Sequence, residues 1–151
     1  NSRNWRCVQL KLSTKGRYGV KAMFDLALNS DEDPIPLKDI ASRQEISESY
    51  LEQLISGLRK AGLVKSVRGA QGGYLLAKSP DKITVGEVIR TLEGPMAPSE
   101  CVVEDTQACE KSDYCVTRLV WKKMKDSVNE VMDSITLQDM VDEYSSINKE
   151  K

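Results

Sequence analysis

Residues 47–74 read SESYLEQLISGLRKAGLVKSVRGAQGGY, and this stretch decides the fold of the chain. Ser47 suits a helix N-cap because its hydroxyl accepts a hydrogen bond from a first-turn backbone N–H. Gly62 suits the left-handed conformation in which many helices end. Between them, four apolar residues recur at helical spacing and predict one buried face: Leu51, Leu54, Ile55 and Leu58.

A β-hairpin is predicted directly after this helix. Residues 63–67 read as a first strand, residues 68–73 as a glycine-rich turn, and residues 74–76 as a returning strand. A helix followed by such a hairpin is the layout of a recognition helix and its wing. The pattern therefore predicts a DNA-binding unit.

The polar side chains of the same stretch are the candidate DNA contacts. Ser, Tyr and Gln suit base edges and phosphates, arginine suits phosphate, and a cation at the hairpin tip suits a minor groove. A carboxylate beside a base edge accepts from cytosine amino groups. The candidates are Ser49, Tyr50, Glu52, Gln53, Arg59 and Arg68. The alternative interpretation is a solvated helix beside an ordinary hairpin.

The preceding residues complete a winged helix-turn-helix domain over residues 11–80. A helix is predicted over residues 14–28, N-capped by Ser13, and its core-facing residues are Val20, Met23, Phe24, Ala27 and Leu28. Its cations suit either a phosphate-facing edge or a solvated flank: Lys15, Arg17 and Lys21. Pro36 suits the first turn of a second helix, whose inward residues are Leu37, Ile40 and Ala41.

Residues 81–94 are predicted to form a connecting helix. Thr84 and Glu87 match a capping box, in which each side chain accepts from the backbone of the other residue. Gly94 ends this helix. Residues 95–115 then form a long segment without periodicity that contains three cysteines.

Residues 116–144 are predicted to form a long dimerisation helix and a short terminal helix. The long helix runs over residues 116–134, and a helix of that length is expected to pack on a partner subunit as well as on its own chain. Thr136 and Asp139 begin the short helix, and residues 145–151 form a frayed tail. The apolar stripe of the long helix consists of Val116, Leu119, Val120, Met124, Val128, Val131, Met132 and Ile135.

Composition excludes several classes of protein. The 151 residues contain no histidine, which removes His-based catalysis, and they show neither a phosphate-binding loop nor a dinucleotide fingerprint. No apolar run is long enough to span a membrane, and the first ten residues do not resemble a signal peptide, so a cytoplasmic protein is predicted. Residues 11–80 have a net charge of +3 and residues 81–151 one of −6. A modest non-specific affinity for DNA is expected.

Cys101, Cys109 and Cys115 lie within fifteen residues of one another. In a cytosolic protein, such clustered thiols indicate metal or redox chemistry rather than structural disulfides. Their spacing lacks the Cys-x-x-Cys pairs of most structural zinc sites, and soft thiolates suit an iron–sulfur cluster with a fourth ligand from elsewhere. Zinc bound by three thiolates and a carboxylate, and three unliganded thiols, are the alternatives.

Three long segments and these cysteines resemble the IscR branch of the IscR/NsrR/CymR family. The segments are KLSTKGRYGVKAMFDLAL, LKDIASRQEISESYLEQLISGLRKAGLVKSVRGAQGGY and ITVGEVIRTLEGP, within residues 11–95. The resemblance implies a homodimeric bacterial winged-helix transcription factor that binds a palindromic double-stranded DNA site. It also implies a [2Fe–2S] cluster on the three cysteines, control of iron–sulfur cluster biogenesis genes, and no small-molecule substrate. The family's reading residues correspond to Ser49, Tyr50, Gln53 and Arg68, and Glu52 corresponds to the residue through which cluster status selects among DNA sites.

Three positions depart from the family pattern. Arg118 stands where many IscR proteins have a histidine ligand, which leaves the fourth ligand unassigned. Arg17 stands where NsrR-like proteins have a ligating aspartate, which weakens the nitric oxide sensor alternative. Leu10 stands at the family's initiating methionine, so residues 1–10 are expected to be a non-native extension. A CymR-like repressor of cysteine metabolism, which needs no cluster, is the main rival, and a small thiol or metal enzyme is the rival from another class.

Overall fold

The fold is mainly helical with one small antiparallel hairpin. A computed structural model describes residues 12–29, 33–95 and 116–150. The hairpin strands pair from Val64 with Leu76 to Val67 with Gly73. The predicted fold class is confirmed. In chain order the elements are α1 (Thr14–Leu28), α2 (Leu37–Gln44), α3 (Glu48–Lys60), β1 (Val64–Val67), β2 (Gly73–Leu76), a 3₁₀ turn (Pro80–Lys82), α4 (Val85–Glu93), α5 (Val116–Ser134) and α6 (Leu137–Lys149).

The main core lies between α1, α2, α3, α4, the base of the hairpin and the first turn of α6. All four apolar residues predicted for α3 are buried. Ile83, just before α4, and Leu137, the first residue of α6, are both fully buried in this core. Leu137 N–H donates to the carbonyl of Ile83 at 3.0 Å, so α6 is fixed to the start of α4.

Helix α1 has the predicted bounds but a wider buried face than predicted. Met23 and Ala27 are buried as expected, whereas Phe24 is only half-buried and Leu26 is fully buried. The difference arises because α1 contacts α2 and α3 on one side and α4 and α6 on the other. Phe24 packs edge-to-face on Tyr144 of α6, with ring centroids 5.6 Å apart.

The helix caps differ from the prediction at two places. Ser13 occupies the N-cap position of α1, but its side chain makes no capping bond. The carboxylate of Glu93, at the end of α4, accepts from the backbone N–H groups of Ser13 and Gly16 instead. Thr84 caps α4 by accepting from Glu87 N at 3.1 Å, but the predicted reciprocal bond, in which the Glu87 carboxylate accepts from the Thr84 backbone N–H, is absent.

Helix α6 is longer than predicted. A frayed tail is predicted over residues 145–151. This prediction is wrong for the residues up to Lys149, because the helix ends only there. Thr136 and Asp139 form a complete capping box at its start, and the contact of Tyr144 with α1 stabilises its second half. The basic Lys149 lies at the negative end of the helix dipole.

Helix α5 has the predicted bounds, and among the described residues only one of its sides is attached to the domain. Met132 is buried and packs on Ile89 of α4. Arg90 of α4 donates to Asn129 Oδ1 at 2.9 Å and also bonds the carboxylate of Asp133. Most of the apolar stripe predicted for this helix lies on its exposed side. In the described ranges, no helix has the length and apolar character needed to cross a bilayer.

Candidate DNA-binding surface

Helices α2 and α3 form a helix-turn-helix with a three-residue turn. Glu45 ends α2 in the left-handed conformation, with φ 54° and ψ 46°. Ile46 is buried, and its N–H donates to the carbonyl of Ala41 at 3.0 Å. Ser47 then begins α3 as its N-cap. The turn is therefore tightly constrained on both sides of Glu45.

The outer face of α3 presents the predicted base-reading side chains. Ser49, Glu52 and Gln53 are exposed in the first two turns, whereas the opposite face is buried in the core. The Ser47 hydroxyl accepts from Tyr50 N at 3.3 Å, as predicted for an N-cap. The positive end of the helix dipole lies at this end and favours a phosphate group nearby.

Tyr50 has a packing role that the sequence did not predict. It is half-buried, and its ring meets the Tyr18 ring of α1 edge-to-face, with centroids 6.0 Å apart and planes at 83°. The ammonium of Lys21 lies 5.3 Å from the centroid of the same Tyr18 ring. A cation of α1 is thus close to the N-terminal end of α3, in agreement with a phosphate-facing edge.

Arg59 is exposed at the far end of α3. It is six residues from Gln53, or ~9 Å along the helix axis at 1.5 Å per residue. Gln53 and Arg59 therefore do not share one contact point on a duplex. Their separation fits a base contact near one end of the helix and a phosphate contact near the other.

The wing carries Arg68 at an exposed tip, directly after β1. The turn folds back through Gly69, with φ 118°, and a hydrogen bond of 3.0 Å from Gly72 N to the Gly69 carbonyl. The hairpin is braced by a bridge that sequence analysis missed: Ile35 and Tyr74 exchange backbone hydrogen bonds of 3.0 and 2.9 Å. A Cβ on Gly73 would lie 2.4 Å from the Ile35 backbone, so this position requires glycine.

Asp25 of α1 is a further polar feature beside the helix-turn-helix, and sequence analysis did not single it out. Its side chain is 2% exposed, and both carboxylate oxygens accept hydrogen bonds from the end of α2. The bond to Asp25 raises the pKa of Arg43 above its ordinary value. The available signal in the sequence is one carboxylate inside the apolar run of residues 22–28.

The predicted site residues thus fall into three groups. Ser49, Glu52 and Gln53 share one end of α3, with Tyr50 beside them, while Arg59 and Arg68 lie at separate places. The predicted cluster ligands Cys101, Cys109 and Cys115 lie outside the described residues. Within residues 12–29, 33–95 and 116–150, no group of three or more cysteine and carboxylate side chains is arranged to hold a metal ion.

Comparison with known proteins agrees with this geometry. Residues 12–143 match the Rrf2 family, described as an iron-dependent transcriptional regulator. The chain is 50% identical to the HTH-type transcriptional regulator CymR of Bacillus subtilis over 131 residues, which are 87% of this chain and 89% of that one. It is 45% identical to the HTH-type transcriptional regulator IscR of Pectobacterium atrosepticum over 139 residues, 92% of this chain and 84% of that one.

A solved structure gives the same result for the three-dimensional fold. The chain matches T. potens IscR with a TM-score of 0.73 and 54% sequence identity, and the match covers 89% of this chain and 88% of that one. The predicted resemblance to the IscR/NsrR/CymR family is confirmed. These relatives are transcriptional regulators, which agrees with the prediction that the chain is not an enzyme.

Proposed function

Because the chain belongs to the Rrf2 family of transcriptional regulators, we propose that it binds palindromic double-stranded DNA as a homodimer in the cytoplasm. We further propose that it senses an iron–sulfur cluster through Cys101, Cys109 and Cys115 and controls cluster biogenesis genes. It takes no small-molecule substrate in this scheme. The observation that supports DNA binding most directly is the exposed polar face of α3 opposite a fully buried one.

Each surface residue has a chemical role in this proposal. Gln53 makes a bidentate contact to a base edge, and Ser49 and Tyr50 contact bases or phosphates near the N-terminus of α3. Glu52 accepts from cytosine amino groups and is repelled by base acceptors, so it selects among sites. Arg59 binds phosphate, and Arg68 enters the minor groove.

The dimer is proposed from the unburied apolar surface of α5. Val116, Leu119 and Val131 are 76%, 58% and 59% exposed. A two-fold dimer that covers this α5 surface presents two recognition helices related by symmetry, and such a dimer requires a palindromic site.

The cluster is proposed from the donor set. Three thiols between α4 and α5 supply soft thiolate ligands, which suit iron in a [2Fe–2S] cluster, and they must lose their protons on binding. Arg118 is unsuitable as the fourth ligand because a guanidinium offers hydrogen-bond donors only and no acceptor. When bound, the cluster supplies the iron-dependent signal. The residues of this chain convert that signal into DNA preference through Glu52.

Anaerobic purification tests the sensor. The wild-type protein is expected to be brown, with visible charge-transfer absorption and two iron and two sulfide ions per subunit for a [2Fe–2S] cluster. The combined Cys101→Ala, Cys109→Ala and Cys115→Ala variant should be colourless and still folded. Cys7→Ala is the matched control and should keep the colour.

DNA binding by these proteins completes the cluster test. Reconstituted wild type and the triple variant are compared on duplexes enriched from a random library by each of them. A different ranking of the duplexes by the two proteins supports the sensor. Identical rankings, or a colourless wild-type protein after anaerobic reconstitution, would reject it.

A second candidate function is a CymR-like repressor of cysteine metabolism. The 50% identity to the Bacillus subtilis CymR supports it, as the 54% identity to T. potens IscR supports the sensor. The two candidates differ in the need for a cluster. An iron-free wild-type protein that still selects a defined duplex would favour the CymR-like function over the iron–sulfur sensor.

Fluorescence anisotropy on the selected duplex and a scrambled duplex tests the proposed reading face. Gln53→Ala should lose about 1–3 kcal/mol on the selected duplex and little on the scrambled one, because a base contact carries sequence information. Arg59→Ala should weaken both more evenly. Gln138→Ala, which removes only a surface hydrogen bond to Asp142 in α6, is the control. Equal losses for Gln53→Ala on both duplexes would show that the reading face is elsewhere.

A further inference from the structure

We propose that Asp25 is a positioning residue that sets the orientation of the recognition helix α3 and thereby separates the operator from other DNA. The inference rests on the proposed DNA-binding function and deepens it. Asp25 is 2% exposed and cannot itself touch DNA. Its effect must pass through the helix-turn-helix that it supports.

The carboxylate of Asp25 is fully engaged by side chains from two elements. Arg43 forms a bidentate pair with it, with Nη2 2.8 Å from Oδ1 and Nε 3.0 Å from Oδ2. Gln44 Nε2 donates to Oδ2 at 3.0 Å, and Asn29 Nδ2 donates to Oδ1 at 3.4 Å. A charge is retained at so buried a position only when such partners replace water.

The partners of Asp25 lie at the end of α2, directly before the turn of the helix-turn-helix. Arg43 and Gln44 are the last two residues of α2, and the next residue is Glu45 in its left-handed conformation. A non-glycine residue keeps this conformation only when its surroundings determine it. The planar Arg43 fork fixes the end of α2 against α1 and so fixes the direction in which the turn leaves.

Helix α1 holds the recognition helix at a second point. Tyr18 contacts Tyr50 in the first turn of α3. Tyr18 and Asp25 are seven residues apart, which is two helical turns and therefore the same side of α1. One side of a single rigid helix thus fixes both the exit from α2 and the entry into α3.

This arrangement predicts unequal effects on two kinds of binding. A bidentate contact between a side chain and a base edge depends strictly on position, whereas a phosphate contact from a long cationic side chain tolerates a tilt of the helix. Arg43 is also 43% exposed, so its cation stays available to phosphates when Asp25 no longer pairs with it. Loss of the Asp25 carboxylate should therefore lower operator affinity and leave general DNA affinity nearly intact.

The test is the ratio of dissociation constants for the scrambled and the selected duplex, measured by anisotropy on the folded, full-length protein. Asp25→Asn places an amide nitrogen against the Arg43 and Gln44 donors and should lower this ratio about tenfold, the size of one lost base contact. Gln44→Ala is the milder variant, and a drop of about threefold is expected because it removes one hydrogen bond to the Asp25 carboxylate and leaves the Arg43 pair in place. Circular dichroism and titration of the active fraction establish that only folded protein is compared.

Gln138→Ala is the matched control, because it removes another glutamine–carboxylate hydrogen bond, to Asp142 within α6, away from the helix-turn-helix. It should leave the ratio unchanged even where it lowers stability. The proposal is overturned when Asp25→Asn and Gln44→Ala both keep the wild-type ratio, or when Gln138→Ala lowers it equally. A wild-type protein without any duplex preference would reject the proposed function itself, which is a separate outcome.

Discussion

Helices α3 and α5 both repeat apolar residues at helical spacing, but among the described residues only the stripe of α3 is covered by the rest of the chain. Leu51 and Leu58 of α3 are 0% exposed, whereas Val116 and Leu119 of α5 are 76% and 58% exposed. The two patterns look alike in the sequence. The difference teaches that apolar spacing predicts a helix and its buried side, but not which molecule buries that side.

The attachment of α5 sharpens this contrast. Its C-terminal half is held to α4 by Met132 and by the bonds of Arg90 to Asn129 and Asp133. Its other side has no cover from the described part of the chain. Helix α3 is therefore covered by its own domain, whereas we propose that a second subunit covers the open side of α5.

The largest expected effect comes from the covered stripe. Leu58→Ala should lower the free energy of unfolding by about 2–5 kcal/mol, because it leaves a cavity in the packed core. Urea denaturation followed by circular dichroism measures it. Leu119→Ala is the matched truncation in α5 and should show a smaller, concentration-dependent change. Equal costs at every protein concentration would remove the distinction between the two helices.

The exposed apolar stripe of α5 should be sensitive to an introduced charge, which affects dimer formation, rather than to a cavity in the core. Leu119→Glu is expected to raise the dimer dissociation constant by roughly 30-fold or more, about 2 kcal/mol, since it buries an unpaired carboxylate in the interface. Sedimentation velocity over a range of concentrations measures the change. The subunit should keep its helical circular dichroism because Leu119 is 58% exposed.

Lys122→Glu is the control for this charge change. Lys122 is exposed and lies on the side of α5 away from the stripe, so the substitution alters charge without entering the proposed interface. It should leave the dimer dissociation constant nearly unchanged. A monomeric wild-type protein, or an equal effect of both substitutions, would show that the stripe of α5 is not the dimer interface.

The same contrast explains how far the sequence could predict the fold. Local signals were sufficient for α1, α3 and α5, where periodicity and terminal residues such as Ser47 and Gly62 determine the bounds. They were not sufficient where a partner lies far away in the chain. Glu93 caps α1 from a distance of 80 residues, and the Ile35–Tyr74 bridge joins the wing to a loop before α2.

The candidate site shows the same limit. The exposed polar face of α3 follows from its sequence alone, because its apolar residues leave Ser49 and Gln53 on the outside. The role of Asp25 depends on Arg43 and Gln44, which lie 18 and 19 residues away, and no spacing rule links them. Likewise, α6 extends beyond its predicted end to Lys149, because Tyr144 packs on Phe24 of α1, a helix that lies far away in the sequence.

The smallest expected effect tests whether the stability of α3 is independent of dimer formation. Ser47→Ala should cost about 1 kcal/mol of unfolding free energy, because it leaves the Tyr50 N–H without its capping oxygen. Ser13→Ala is the matched control at the N-cap of α1, where the side chain makes no capping bond, and it should cost much less. Both changes are measured by urea denaturation in the wild type and in the Leu119→Glu background. Since Ser47 and Leu119 share no partner, the cost of Ser47→Ala should agree between backgrounds within about 0.5 kcal/mol. A cost that disappears in the Leu119→Glu background would mean that the dimer, and not the single chain, orders the recognition helix.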